Sequence, residues 1–493
     1  MFALNKKEMK RIDLDTQNRI KSLDLMETAG TKMANKILKY YSPKNVLLVL
    51  GSGGNAGDAL VIGRIFLEKN INVSAYLIED IKNNDALTNL NRFNGNIISN
   101  INFNDYDLII DGIFGIDLSR NLNDKYTEII NKINESNKTI ISLDIPSGID
   151  ASFGISYNAF IKSDLCISVE YHKTGLFLND GLDSYKKLEL IKVGMDKPKE
   201  AIKIIEKNDF INIYFNRLRN SNKGTYNKAS LIAGSKKYPG ASKISYNALL
   251  SFKMGVGFQN LYVPKSLYEI YALTNPEIIV NEIKEIDEHI DFDKEKLDEI
   301  IKRSDAIAIG MGMQVSKELY DTIDYLLNNF DKRLLIDADG LNTLSKYGID
   351  ILKNKKCEVV LTPHLKEFER LSNYNINDIK NNIFEISKEF AKKYNVILVL
   401  KSASTIITDG NNISIQINGN SSLAKAGSGD ALSGIILGLL AYFKNENIYK
   451  IACLGSYLLG LSADLIIKKY PEEAVTISDI IKYIPKAIKK IHN

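Results

Sequence analysis

Short apolar runs recur along this chain, and each stops abruptly at a small or polar residue. Val46 to Leu50 ends in Gly51-Ser-Gly-Gly-Asn-Ala-Gly-Asp-Ala59, followed by the helix-like stretch LVIGRIFLEK. Leu108 to Ile110 ends in Asp111-Gly-Ile-Phe-Gly115, and Ile140 to Leu143 in Asp144-Ile-Pro-Ser-Gly148. Leu165 to Val169 ends in Glu170-Tyr-His-Lys173. Runs of three to five mostly apolar residues fit strands buried on both faces, as in a parallel sheet wrapped by helices. Ahead of them, Lys6 to Lys39 has the period of two amphipathic helices, with Leu25, Met26, Ala29 and Met33 on one face. In sheets of this kind ligands bind beyond the carboxyl ends of the strands, where all these polar clusters fall.

The pattern breaks between Val193 and Arg219, where Pro198 and a Lys/Glu cluster predict a linker running into a helix. The expected domains are residues 1–205 and 206–493, with Phe210, Ile213 and Phe215 available to dock the join. From Lys223 the alternation resumes. Ala229 to Ala233 ends in Gly234-Ser235, and Gly240-Ala241 opens a helical stretch to Met254. Ala306 to Ile309 ends in Gly310-Met-Gly312, and Leu334 to Ile336 in Asp337-Ala-Asp-Gly-Leu-Asn342. Val359 to Leu361 ends in Thr362-Pro-His364-Leu-Lys-Glu367, and Ile397 to Leu400 in Lys401-Ser-Ala-Ser-Thr405. The series closes on Gly419 to Gly434, GNSSLAKAGSGDALSG, a small-residue loop entering an apolar helix from Ala431 to Tyr442. The unpaired N–H groups that open such a helix form an anion site. Asp430 at its mouth is either a helix N-cap or a base that takes a proton while the amides hold a phosphoryl group.

Composition narrows the partners. Lys+Arg 64 against Asp+Glu 60 leaves +4, spread along the chain, which argues against a nucleic-acid or membrane surface. The three cysteines (Cys166, Cys357, Cys453) and four histidines show neither disulfide nor zinc spacing. No apolar stretch near the start suits a signal peptide, and Ile451 to Ile467 reads as a buried helix. A cytoplasmic protein is expected, and self-association is plausible for two doubly wound domains, making a homo-oligomer the expected state.

Leu25-Met-Glu-Thr-Ala-Gly30, the Gly51–Ala59 loop, Asp111…Phe114-Gly115 and Asp144-Ile-Pro-Ser-Gly148 resemble the YjeF N-terminal domain, the NAD(P)H-hydrate epimerase. The resemblance implies a Rossmann-like three-layer α/β sandwich that interconverts the R and S hydrates of NADH and NADPH (NADHX and NADPHX). It implies a potassium ion at Asn55, Asp111 and Ser147. Substrate contacts map to Gly54, Asn55, Ala56, Gly57 and Asp58, to Gly115, Ile116, Asp117, Leu118, Ser119, Arg120 and Asn121, and to Asp144, the acid/base candidate. The family loop reads Asn-Asn-Gly-Gly-Asp-Gly where this chain has Gly54-Asn-Ala-Gly-Asp-Ala59, and Ile116-Asp117 replaces Thr-Gly. Asn55 and Asp58 are retained.

The second series resembles the YjeF C-terminal domain, the ADP/ATP-dependent NAD(P)H-hydrate dehydratase, a branch of the ribokinase-like α/β fold. The matching residues are Lys223-Gly224, Gly240-Ala241, Gly255-Val-Gly257, Asn275-Pro-Glu277, Gly310-Met-Gly312, Asp337-Ala-Asp…Asn342, Thr362-Pro-His…Glu367, Lys401…Thr405 and Gly427-Ser-Gly-Asp430. The implied chemistry is phosphorylation of the C6 hydroxyl by ADP or ATP, followed by elimination of phosphate, with Asp430 as base. Ala241, Gly312, His364 and Asp430 match substrate-contacting positions; Lys401, Ser402, Ala403, Ser404, Thr405 and Gly429 match the nucleotide site. Magnesium is expected on the phosphates, with Glu367 an outer-shell candidate and no ligand assigned. The competing readings are a ribokinase-like small-molecule kinase and an N-terminal half that binds nucleotide without turnover.

Overall fold

The computed structural model describes residues 1–213, 217–249, 254–273 and 279–492. The chain divides into two compact units, Phe2–Lys203 and Ile204–Asn493 with Met1.

In the first unit, seven parallel strands lie in the order Asn96–Ile98, Asn72–Leu77, Asn45–Leu50, Leu108–Gly112, Thr139–Leu143, Leu165–Val169, Leu188–Ile191. Alternation along a single strand makes the three layers. Val46, Leu48 and Leu50 pack with the helices Ser22–Tyr40 and Gly54–Glu68, while Leu47 and Val49 pack with Asp124–Glu135. The strand order turns back between Asn45–Leu50 and Leu108–Gly112, so the Gly51–Ala59 loop and the Ile113–Gly115 turn open at the switch point. Phe2–Leu4 pairs in parallel with His172–Lys173 and antiparallel with Ile202–Ile204. The segment after Pro198 therefore departs from the expected helix: it forms this strand and then one 3₁₀ turn, Lys207–Phe210. Ile202-Lys203-Ile204 has a strand's period of two, with β-branched residues that favour it. Phe210 and Ile213 are buried, whereas Phe215 lies outside the described residues.

The second unit has a sheet in the order Ile279–Ile283, Phe258–Pro264, Lys228–Ile232, Ala306–Ile309, Arg333–Ile336, Glu358–Leu361, Ile397–Leu400, Thr405–Thr408, Ile413–Gln416. It is parallel as far as Ile397–Leu400, and the last two strands run antiparallel. Its switch point lies between Lys228–Ile232 and Ala306–Ile309. The helices Ser428–Tyr442 and Ile448–Ile466 contribute much of the core. Ile448–Ile466 is the one helix among the described residues long and apolar enough to cross a membrane, and it is mostly buried within the protein. Pro239–Leu249 is the helix opened by Gly240-Ala241.

Candidate active sites

A cavity of about 670 Å³ opens at the switch point of the first unit. The first turn of Gly54–Glu68 gives it Gly54, Asn55 and Asp58, and the following loop gives it Gly115 through Arg120. Ala56 and Gly57 face the protein interior instead, with Ala56 wholly buried, and Asn121 is exposed at the far end of its loop. The helix Lys6–Gln17 roofs the cavity with Met9, Asp13 and Gln17, which no motif pointed to. It grips the loop opposite: Lys6 Nζ donates to the carbonyls of Asp117 (2.8 Å) and Leu118 (3.1 Å), and Lys10 pairs with Asp117.

Asp144 stands on the cavity floor with φ +66, a left-handed conformation that a non-glycine residue holds only when its surroundings impose it. Its Oδ1 accepts from Val169 N at 2.9 Å and pairs with the ammonium of Lys173. Lys173 is wholly buried and also donates to Val169 O. The Glu170–Lys173 cluster marked this strand end, but the partnership itself follows only from the fold. Burial, then the nearby charges of Asp144 and Asp13, pushes Asp58 well above the carboxylate range, and burial also raises Asp13. The wall thus sets Asp13, Asp58 and Asp144 on one cavity, with the side chain of Lys173 buried beside Asp144.

Asp111 lies behind that floor, fully buried. Its carboxylate accepts from Ser142 Oγ (2.8 Å), Ser147 N (2.9 Å), Ser147 Oγ (2.5 Å) and Ile113 N (3.3 Å). Burial raises Asp111 against the pull of these bonds, and no cationic side chain pairs with it among the described residues. Asn55 Nδ2 donates to the carbonyls of Phe114 (2.9 Å) and Leu143 (3.2 Å). Asn55, Asp111 and Ser147 thus converge on the turn at Phe114.

In the second unit the apolar helix begins earlier than its hydrophobic run suggests, at Ser428. Gly427, with φ +94, takes the N-cap position in a conformation open to glycine. Asp430 is therefore in the first turn and not the cap. It is half-buried, and burial followed by the charge of Asp337 pushes it up to about 7, with Lys401 opposing and Asp339 and Glu367 adding to the rise. Lys401 Nζ donates to Asp337 Oδ1 at 2.9 Å, and Ser433 Oγ donates to Asp337 Oδ2 at 2.6 Å. Burial alone would lower Lys401; the Asp337 and Glu367 charges override it and raise the ammonium. Ser433, four residues beyond Gly429 on the same helix face, is a participant that the sequence motifs did not single out.

The other strand ends meet here. Lys401 N donates to Pro363 O at 2.8 Å, tying the Lys401 turn to the His364 turn. His364 caps Leu365–Ser372: its Nδ1 accepts from Glu367 N (3.1 Å) and its N–H donates to Glu367 Oε2 (2.8 Å). Burial lowers His364 and raises Glu367. Gly312, with φ +65, lies so near Ala241 that an added methyl would sit 2.7 Å from its Cβ, so these two residues form one wall. Ser402 and Ala403 are exposed, Ser404 is buried and Thr405 opens the next strand. Asn275-Pro-Glu277 lies outside the described residues. The loop before Asp430 is anchored from downstream. Asp464 accepts from Gly419 N and Asn420 Nδ2, Glu472 accepts from Ser421, and Lys425 donates to the carbonyls of Glu472, Glu473 and Val475.

Family matches fall in both units. The family described as NAD(P)H-hydrate dehydratase matches residues 229–486, and the YjeF-related protein N-terminus matches residues 22–175. The chain is 29% identical over 521 aligned residues to a bifunctional NAD(P)H-hydrate repair enzyme of Dictyoglomus turgidum, covering 100% of this chain and 99% of that one. A relative of the same description in Archaeoglobus fulgidus is 28% identical, with 94% and 93% covered. Among solved structures, a Streptococcus mutans protein of undescribed function superposes with TM-score 0.51 at 26% identity, covering 59% of this chain and 100% of that chain. A ribokinase-like superfamily protein from Enterococcus faecalis superposes with TM-score 0.50 at 24% identity, covering 59% and 96%, a likeness of fold.

Proposed function

The chain belongs to the NAD(P)H-hydrate dehydratase family, and on that premise we propose how its residues return hydrated nicotinamide nucleotides to NADH and NADPH. The protein is a bifunctional repair enzyme: one activity interconverts the R and S hydrates, and the other dehydrates the S form using an adenine nucleotide. Epimerisation is assigned to residues 1–205 and dehydration to residues 206–493.

The observation that carries the dehydratase reading is Asp430 in the first turn of a glycine-opened helix, with Lys401 beside Gly429. Hydroxide leaves C6 poorly. Asp430 takes the C6 hydroxyl proton as that oxygen attacks the terminal phosphoryl group of ADP, releasing AMP. The amides of Gly427 to Gly429 donate to the transferring group at the positive end of the helix. The C6–O bond then breaks with loss of a C5 proton, so phosphate departs and the dihydropyridine is restored. Ala241, Gly312 and His364 would hold the hydrate, and Lys401 through Thr405 with Gly429 the nucleotide. The described residues hold no group of three or more histidine, cysteine or carboxylate side chains arranged for a metal ion. Magnesium would therefore be held mainly by the nucleotide phosphates and water, where it neutralises their charge.

In the epimerase cavity, whose volume suits a small-molecule ligand, Asp144 and Lys173 exchange the proton that lets C6 open and reclose. A fully buried Asp111 with no cationic side chain on it among the described residues suits a bound monovalent cation, so Asn55, Asp111 and Ser147 would hold potassium, which would supply the positive charge.

The test uses a mixture of R and S NADPH hydrates with ADP or ATP, followed by the absorbance of restored dihydronicotinamide. Complete recovery supports both activities and identifies the donor. Recovery that stops when the S form is spent leaves a dehydratase beside a binding-only N-terminal half. Absence of recovery with either nucleotide refutes the reading and favours a small-molecule kinase.

A further inference from the structure

Lys401 does more than its position in a nucleotide-site motif implies. Its ammonium is bonded to Asp337, which is 1% exposed and is itself held by the fully buried hydroxyl of Ser433. The same ammonium lies where a methyl group on Gly429 would approach within 3.0 Å. Strain converges on the same point: Ala338, between Asp337 and Asp339, has φ +49. Three elements (the end of Arg333–Ile336, the end of Ile397–Leu400 and the first two turns of Ser428–Tyr442) thus meet in one bonded line, Ser433 to Asp337 to Lys401.

We propose that Asp337, Lys401 and Ser433 form a positioning unit that locks the ammonium beside the Gly427–Asp430 turn and through it governs proton transfer by Asp430. The inference rests on the dehydratase reading given above. A lysine serving only as a phosphate contact would not need a carboxylate clamped from behind by a helix hydroxyl. Here the clamp fixes the ammonium before any nucleotide arrives, and the price of binding is reduced accordingly. The charged groups facing Asp430 are Asp337, Lys401, Asp339 and Glu367. Of these, Lys401 alone is positive, so the Asp337–Lys401 pair delivers opposing influences to the base from nearly one place.

The two members of the pair therefore predict opposite effects. In the full-length enzyme, the acid limb of kcat/KM for dehydration of S-NADPH hydrate with ADP is measured across pH. Lys401→Met should move that limb to higher pH by about one unit, because the opposing cation is gone. Asp337→Asn should move it to lower pH, because a like charge is removed and the freed ammonium can turn towards Asp430. Ser433→Ala should move it upward by less than Lys401→Met, and Ser433→Thr, which keeps the hydroxyl, should restore it. Thermal melts accompany each variant; if Asp337→Asn does not fold, the Lys401 and Ser433 variants decide. Unmoved limbs, with only the KM for ADP raised, would overturn the proposal and leave Lys401 a nucleotide contact. Wild-type enzyme that fails to dehydrate the hydrate at all would instead sink the dehydratase reading, and the proposal with it.

Discussion

Replacing Asp430 with asparagine should sharply slow dehydration and stabilise the protein above neutral pH. The carboxyl group goes from an ordinary 3.8 to about 7 in the native state, first through burial and then through Asp337. Between those values the native state binds a proton that the unfolded chain has lost, so stability falls as pH rises from about 4 to about 7 and stays low above that. At about 1.36 kcal/mol per pKa unit the full cost of the charge is bounded near 4 kcal/mol. Partial solvation of a half-buried group reduces this to roughly 1–2 kcal/mol. Asparagine keeps the shape without the charge. The variant should therefore match the wild type near pH 4 and exceed it at pH 8 by roughly 2–6 °C in melting temperature for a unit of this size. Calorimetry, following the transition that ADP displaces, reads that difference. Dehydration of S-NADPH hydrate should fall by about 10²–10⁴-fold. A gain in stability that is the same at both pH values, or a variant within tenfold of wild-type activity, would refute the reasoning.

Other substitutions separate the two activities. Asp144→Asn should abolish epimerisation while dehydration of pure S hydrate continues; it leaves Lys173 buried and unpaired at a cost of about 3–5 kcal/mol, and Asp144→Asn with Lys173→Met should recover the stability but not the activity, as melts and chiral assays of the hydrate will show. Asn55→Ala should raise the potassium concentration needed for half-maximal epimerisation several-fold, whereas unchanged dependence would remove Asn55 from the cation site. Gly312→Val forces a side chain at φ +65 against Ala241 and the carbonyl of Tyr238, so the KM for the S hydrate should rise at least about tenfold with epimerisation unaffected.

The polar ends of the strands were legible because consecutive apolar residues stop sharply where a parallel strand leaves the core. Asp111, Asp144, Asp337, His364 and Lys401 were all read in this way. What the sequence concealed was pairing across the fold. In sequence Lys173 is one more polar residue, and only the fold pairs it with Asp144; Ser433 is part of an apolar helix, and only the fold sets Asp337 beside it. Asp13 sits on a helix whose own pattern concerns only its buried face, so nothing in that pattern reports the cavity beneath. Strands such as Asn72–Leu77 and Phe258–Pro264 are not legible as apolar runs because Ser74, Gln259 and Asn260 interrupt them.

The anchoring of the Asp430 loop sets an order of maturation on the ribosome. Asp464, Glu472 and Val475 are synthesised after Asp430, whose loop they anchor, while the first unit is complete by Lys203. Domains emerging first fold first. On the proposed division of labour, a nascent chain would acquire the ability to interconvert hydrates well before it could consume them, and damage to its last helical segments would yield a protein that shuffles stereoisomers without repairing any.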